Sequence, residues 1–265
     1  IRNKQNLGFA RAANVGFREA LGKFILLLTP DTKVLPGTIK KTLKFIDDKG
    51  DIGAVSCPIL SEKGKLQISC FKNFPNLLSH LFEYNIPFYK LTKYVLGLGY
   101  HPIAYSISDH KKELNPKHMI GAYFMVRKKM LSMLSGFDRD YYMYREETDF
   151  YKRAQDLAWK IKYIPVGGLL HYGGGTWKKF AFTQASDKYM RSTYLFFKKH
   201  YGFVYFLFSF TLGFISSLIS LIFLVPIITT RAIQNKESQS FQQFDCWLRI
   251  FTWHATHGVV FVFKR

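Results

Sequence analysis

The sequence predicts an α/β fold: a mostly parallel sheet with flanking helices, followed by a C-terminal hydrophobic helix. Three observations carry this. Phe24-Ile25-Leu26-Leu27-Leu28 is a continuous apolar run of strand length without alternation, the pattern of a strand covered on both faces. Strand-like and helix-like segments alternate over most of the chain, as a parallel sheet with crossover helices requires. The 26 positions 203–228 hold no charged residue and are dominated by Phe, Leu, Ile and Val.

The elements follow in order. Residues 8–22 combine small residues with helix formers and stop at Gly22. After the apolar strand, Thr29-Pro30-Asp31-Thr32 breaks the chain abruptly, which puts Asp31 at a carboxyl strand end, where open α/β sheets bind ligands. Pro36 opens a helix over 36–48, and 52–60 reads as a strand. Lys63-Gly64-Lys65 makes a turn into a returning strand, Leu66–Cys70. Residues 76–118 lack clear periodicity and read as a helix-containing insertion. A strand over 119–127, a helix over 128–134, a turn at Gly136-Phe137-Asp138, a helix from Glu146 to Leu157 and a strand from Lys160 to Pro165 complete the pattern. Gly167–Gly175 reads as a loop and 184–200 as a helix. Residue 1 is Ile and the first residues already read as mid-fold, so the α/β domain is expected to be incomplete at its N-terminus.

Composition narrows the function classes. Hydrophobic residues make up 48% and charged residues 21%, which excludes wholesale disorder. The net charge of +20 calls for an anionic partner: nucleic acid, a membrane surface or phosphorylated substrates. The basic residues are spread along the chain, no nucleic-acid motif accompanies them, and an apolar segment follows, so the expected partner is membrane lipid and no nucleic acid. Cys57, Cys70 and Cys246 show no CxxC spacing, which excludes a zinc site or a disulfide framework and fits a reducing, cytosolic setting. As a helix, 203–228 is about 39 Å long, enough for a hydrocarbon core of about 30 Å. It either spans the bilayer or is membrane-embedded; the competing reading is a helix pair broken at Gly213. Lysines and arginines on both sides leave its orientation open. The expected division is 1–202 for the α/β domain, 203–228 for the membrane helix and 229–265 for an amphipathic tail.

Three groups of residues can carry chemistry. Asp31 can hold a divalent cation against a diphosphate, or it simply forms a Pro-Asp turn. Glu146, Glu147 and Asp149 crowd a helix start, where acids also favour the helix dipole. At about 100° per residue, Glu147 and Asp149 point roughly 200° apart. Asp149 and Arg153 are spaced i,i+4 to pair, which leaves Glu147 or Glu146 free for a substrate. His171 is either structural or a metal ligand at the edge of a glycine-rich loop.

Taken together, the ordered set resembles the family 2 glycosyltransferases, in the rhamnosyltransferase-like branch of bacterial polysaccharide synthesis. The residues carrying it are Asn6-Leu7-Gly8-Phe9-Ala10 with Asn14 and Gly16, Thr29-Pro30-Asp31-Thr32, Gly121-Ala122, Gly136-Phe137-Asp138, Tyr142 through Asp149 with Arg153, Pro165 through His171, and Lys199-His200-Tyr201-Gly202. The resemblance implies a GT-A fold, a Rossmann-like sheet, and inverting transfer of a sugar from a nucleotide diphosphate donor to a hydroxyl of a glycan or polyprenyl-linked saccharide acceptor. It implies Mg²⁺ or Mn²⁺, held by Asp31 and His171. It assigns general base to Glu147, with Glu146 and Asp149 as candidates beside it. Asn6, Gly8, Asn14 and Asp31 fall on the donor side, and Gly121, Ala122 and Trp177 on the acceptor side. It places the enzyme at the cell membrane with its catalytic domain on the cytoplasmic side. Thr29 stands where the family usually has Asn or Asp, and Glu147 where Asp is usual. The alternative is an inactive, membrane-bound relative acting as scaffold or glycan-binding subunit.

Overall fold

The computed structural model describes residues 1–67, 71–94, 108–172, 184–233 and 238–258. In chain order its helices are α1 (Phe9–Glu19), α2 (Thr38–Asp47), α3 (Leu77–Tyr84), α4 (Ile86–Tyr94), α5 (Lys128–Met133), α6 (Glu146–Asp156), α7 (Gln184–Tyr201), α8 (Phe203–Ile233) and α9 (Ser238–Trp253). The strands are β1 (Phe24–Leu28), β2 (Thr32–Val34), β3 (Ile52–Ser56), β4 (Ile59–Leu60), β5 (Phe71–Lys72), β6 (His118–Met119), β7 (Tyr123–Arg127), β8 (Lys160–Tyr163) and β9 (Leu169–His171). Two compact units result, Ile1–Phe74 with Ile103–Trp177, and Pro75–Pro102 with Lys178–Arg265. In the second unit α3, α4 and α7 cluster with the apolar helix.

The first unit is built on a four-stranded sheet, order β1-β7-β3-β8. β7 runs antiparallel to both β1 and β3, and β8 lies parallel to β3. Three strands thus share one direction and β7 alone opposes them. The strands buried along their whole length are the central β3 and β7, not β1. In β1 only Ile25 is buried and Leu28 is 40% exposed, because β1 has β7 as its one hydrogen-bonded neighbour in this sheet. The expectation of a strand covered on both faces is corrected there. Phe17, Phe124, Phe137 and Phe150 pack ring to ring at 5.3–6.3 Å and pin α1, the turn at Phe137 and α6 onto this sheet.

Two small sheets shape the sheet's end. In one, β9 pairs antiparallel with β2 and parallel with β4. The stretch expected to be a loop, Gly167–Gly175, therefore contributes a strand; its remainder from 173 on lies outside the described residues. The Thr38 hydroxyl holds the entry to β9 by accepting from Gly168 N and donating to Gly168 O, both at 2.9 Å. The third sheet pairs Lys72 of β5 with His118 of β6. The returning strand expected over Leu66–Cys70 is reduced to a single bridge, Leu60 to Leu66, and 68–70 lie outside the described residues.

The second unit is helical. α3 starts with a capping box: Asn76 Oδ1 accepts from Ser79 N and Ser79 Oγ accepts from Asn76 N, each at 2.9 Å. α8 continues through Gly213 and Pro226 without a break, so the broken-pair reading is corrected. It is the one helix among the described residues long and apolar enough to cross a membrane, over Phe203–Thr230. Around Gly213 lies a buried polar chain. His80 Nε2 donates to Tyr194 Oη at 3.1 Å, Tyr194 Oη donates to His254 Nε2 at 2.7 Å, and His254 Nδ1 donates to Ile250 O at 2.7 Å. The last bond sets this order, since a carbonyl only accepts.

Candidate active site

The antiparallel register of β2 and β9 puts Thr32 opposite His171. Asp31 precedes Thr32, and its carbonyl accepts from Tyr172 N at 2.9 Å. Two residues distant in the chain are thereby joined: Asp31 Oδ2 lies 3.3 Å from His171 Nε2. Gln67 settles the state of that imidazole. Its Nε2 donates to His171 O at 3.2 Å, which turns its Oε1 toward His171 Nδ1 at 3.1 Å. Nδ1 must donate, so in the neutral ring Nε2 presents a lone pair beside the carboxylate. A cation placed between them would meet an imidazole lone pair and a carboxylate oxygen together. A histidine whose second nitrogen is fixed this way is also the arrangement metal sites use. Close by, Thr29 Oγ1 is buried without a hydrogen-bond partner. The pair is open to a ligand, with Asp31 39% and His171 19% exposed at the side chain. Among the described residues no cluster of three or more His, Cys, Asp or Glu forms. A divalent cation here would take two protein ligands and complete its shell from diphosphate and water, as hard cations do.

The second centre is the start of α6. Tyr144 and Arg145 both adopt left-handed backbone, φ 69° and 65°. Non-glycine residues reach that region at a cost, and adjacent pairs persist where the surroundings impose them. The reversal buries Glu146, 5% exposed, and leaves Glu147 half-buried with its Oε2 enclosed. The two carboxyls are hydrogen-bonded to each other. Burial, and next the charge of Glu147, push Glu146 well above the usual carboxylate range. Burial also raises Glu147, while Arg145 and Lys72 pull it back. Both carboxyls are thus raised, Glu146 the further of the two. Glu146 Oε2, Glu147 Oε2, Tyr151 Oη and His118 Nδ1 are all buried with no hydrogen-bond partner. Unsatisfied buried polar atoms are rare in folded proteins, and these four lie on α6 and on β6, which packs against it.

The sign of the Glu146 shift gives a stability prediction. Its folded pKa lies above the unfolded one, so the folded chain holds more protons across that interval and stability falls as pH rises through it. Glu146→Gln removes this dependence. The variant is expected to be more stable than the parent at pH 7, the gain fading toward pH 4, in thermal melts recorded across pH.

The remaining expected residues divide. Gly8 begins α1 with φ 77°, and a Cβ there would meet Tyr142 O at 2.4 Å; Phe9 N donates to that same carbonyl at 2.8 Å. Asn6 Oδ1 accepts from Gly8 N at 3.0 Å. The Asn6–Gly8 loop is thus docked on the segment leading to Glu146. Gly121 and Ala122 enter β7 beside the Asp31 turn, since Thr29 N donates to Ala122 O at 3.4 Å. Asn14 is not brought to either centre. Its amide is spent on Phe137, donating to the carbonyl at 2.7 Å and accepting from the amide at 2.8 Å. Asp149 faces away from Glu147, as the helical angle requires, and is buried against Arg153 Nε at 2.7 Å. Arg153 in turn holds Leu134 O and Gly136 O, so this pair secures the turn before Phe137. Trp177 lies outside the described residues. Gln67, Lys72 and His118 carry no motif signal in the sequence, and Arg145 figures there only as part of the Tyr142–Asp149 run. Burial first, and then Lys72 and Arg145, lower the pKa of His118 well below its ordinary value.

Comparison with known proteins bears on this arrangement. The family model "Glycosyl transferase family 2" matches residues 1–134, half of the chain. The chain belongs to glycosyl transferase family 2. Among curated relatives, rhamnosyltransferase WbbL of Escherichia coli (strain K12) is 22% identical over 182 residues, 67% of this chain and 62% of that protein. An N-acetylglucosaminyl-diphospho-decaprenol L-rhamnosyltransferase of Mycobacterium tuberculosis (strain CDC 1551 / Oshkosh) is 23% identical over 154 residues, 56% of this chain and 47% of that protein. The chain spans less than two thirds of the length of either relative. A solved mannosyltransferase, PcManGT from Pyrobaculum calidifontis in complex with GDP-Man and Mn²⁺, overlays with a TM-score of 0.48 at 11% identity, covering 97% of this chain and 69% of that one. The family 2 match takes in the Asp31 turn and ends before α6, so the acid pair is supported by geometry alone.

Proposed function

We propose that this family 2 glycosyltransferase moves a sugar from a nucleotide diphosphate donor, with inversion, onto a hydroxyl of a glycan or polyprenyl-linked saccharide. The carrying observation is the carboxyl pair at the head of α6, whose two enclosed oxygens lack a hydrogen-bond partner together with Tyr151 Oη and His118 Nδ1. Glu147 accepts the proton of the acceptor hydroxyl, whose oxygen attacks the anomeric carbon as the bond to diphosphate breaks on the opposite face. Glu146, kept protonated, holds Glu147 in place. Raising a carboxylate above its ordinary pKa improves it as a base near neutral pH. Asp31 and His171 would hold Mg²⁺ or Mn²⁺, which would supply charge neutralisation for the diphosphate leaving group. Gln67 keeps the imidazole nitrogen aimed. Asn6 and Gly8 border the donor side; Gly121, Ala122 and Trp177 are assigned to the acceptor side. The relatives' names support a rhamnosyl or hexosyl donor. Membrane lipid, reached by the cationic surface and α8, would bring the enzyme to a lipid-linked acceptor, with the catalytic unit on the cytoplasmic side.

The test is release of nucleoside diphosphate and transfer to acceptor in purified membranes, across a panel of nucleotide sugars. Activity is expected to need Mg²⁺ or Mn²⁺ and to vanish with chelator. Asp31→Asn and His171→Ala are each expected to lose about 100-fold in kcat/KM. Gln67→Ala is expected to raise the Mn²⁺ concentration for half-activation about tenfold, as removal of a group that orients a metal ligand does. Chelator-resistant turnover would remove the metal from the scheme. Inversion is checked by the anomeric NMR coupling of the product.

A further inference from the structure

On α8 the apolar and small residues are arranged oppositely to a helix in a water-soluble bundle. The arc turned outward carries Val204, Phe208, Ile215, Ile219 and Ile222, with Val204 and Phe208 67% exposed and Ile222 64%. The opposite arc, at about 100° per residue, carries Ser209, Ser216, Ser217 and Ser220, each no more than 1% exposed. A helix in water faces its apolar arc inward. Small and hydroxyl residues at the helix contacts with the apolar arc outward is the pattern of a helix against lipid.

The neighbours of α8 decide how that lipid can lie. α9 runs antiparallel to α8, since the Phe214 ring stacks on Phe251 at 5.2 Å and Phe210 meets His254 at 5.3 Å. This sets Asp245 and Arg249 beside the middle of α8, where they form an ion pair with half-exposed side chains. α7 also runs antiparallel, with Phe197 against Tyr205 and Tyr194 against Phe210 at 5.4 and 5.5 Å, so Arg191, which is exposed, stands beside the stretch around Gly213. If α8 crossed a bilayer, Asp245 and Arg249 would sit near its centre and Arg191 within its hydrocarbon layer, where charged groups are disfavoured. With α8 lying along the surface, they face water while the apolar arc enters the acyl region. Lys198 over the Phe206 ring and Lys90 over the Phe223 ring, at 5.9 and 5.0 Å, flank α8 about 25 Å apart along its axis. They suit anionic headgroups, as does the net charge of +20.

We propose that α8 is a monotopic anchor: it lies in the plane of one anionic leaflet, its Val204–Phe208–Ile215–Ile222 arc in the lipid, and does not cross the membrane. This rests on the membrane-lipid reading above. The test uses sealed vesicles of both orientations from cells expressing the full chain. Single cysteines at Lys199 and Thr230, with Cys57, Cys70 and Cys246 replaced, are labelled by a membrane-impermeant maleimide. Trypsin accessibility at Lys199 and Arg231 of the unaltered chain is read in parallel by mass spectrometry. Both flanks are expected to react in one vesicle orientation and neither in the other. One flank reacting in each orientation means a spanning helix, which overturns the proposal and leaves the membrane reading intact. The purified chain is also expected to bind phosphatidylglycerol vesicles at least tenfold more tightly than phosphatidylcholine vesicles, with weakening in high salt. No binding to either vesicle overturns both readings, and a lipid-free dimer protecting Phe208 from exchange would identify a second copy as the occupant.

Discussion

Glu147→Gln is expected to lower kcat by about 100- to 10,000-fold while leaving donor affinity within a few-fold, the magnitude of losing a positioned general base. The replacement keeps the size of the side chain and one hydrogen-bond acceptor. It therefore separates proton abstraction from packing. The parent should show an acid limb in kcat/KM whose midpoint lies above the ordinary glutamate value, because burial raises Glu147; rate rises with pH as the carboxylate forms. That limb should be absent from the residual activity of the variant. Isothermal titration with the nucleoside diphosphate and Mn²⁺ gives the affinity arm. Full turnover in Glu147→Gln would assign the base elsewhere. Asp149 is no substitute for it, since its carboxylate is committed to Arg153. Absent turnover in the parent with every donor, in folded protein, would instead favour an inactive relative acting as scaffold.

Gly213→Ala is expected to destabilise the helical unit by about 3 kcal/mol. A Cβ at this position would lie 2.2 Å from Tyr194 Oη, 2.8 Å from His80 Nε2 and 2.9 Å from His254 Nε2. Overpacking of this kind usually costs about 1–3 kcal/mol. Pushing Tyr194 aside also breaks both of its hydrogen bonds, leaving buried imidazole nitrogens unsatisfied, and each such loss costs about 1–3 kcal/mol. Helix propensity acts the other way by no more than about 1 kcal/mol, since alanine is the better helix former. Gly16→Ala is the control. It sits within α1, where a Cβ meets nothing within 4 Å, so it should stabilise its own unit slightly. Thermal unfolding followed by near-UV dichroism reads both. An unchanged transition in Gly213→Ala would mean that the polar chain around Tyr194 can rearrange without loss.

Both predictions show where local pattern suffices and where it does not. Periodicity and punctuation located α1, β1, α2, α5, α6, β8 and α7 within a few residues, since each is long enough to repeat its own signal. The i,i+4 spacing of Asp149 and Arg153 and the opposed direction of Glu147 follow from helical geometry and hold in the structure. The short strands were hidden. β5 and β6 are two residues each, too brief for any alternation, yet they bring Lys72 and His118 to the acid pair. The start of α3 had a readable sign in Asn76 and Ser79, a capping pair three residues apart. Asn14 was assigned to the donor side, but its neighbours in space, not in sequence, claim both ends of its amide.

The sequence by itself determined the α/β class, the family resemblance, the acids at the head of α6, the exposed position of Asp31 after an apolar strand, and a charge-free helix after residue 202. These depend on local chemistry: hydrophobic period, helix caps, chain-breaking residues and the order of motifs. Only the tertiary structure decided that Asp31 meets His171, that Gln67 fixes which imidazole nitrogen is bare, that burial raises both carboxyls at the head of α6, and that α8 turns its serines inward. Each of these is a contact or a burial between segments far apart in the chain. Strand register and desolvation create it, and neither is written in any one stretch of residues.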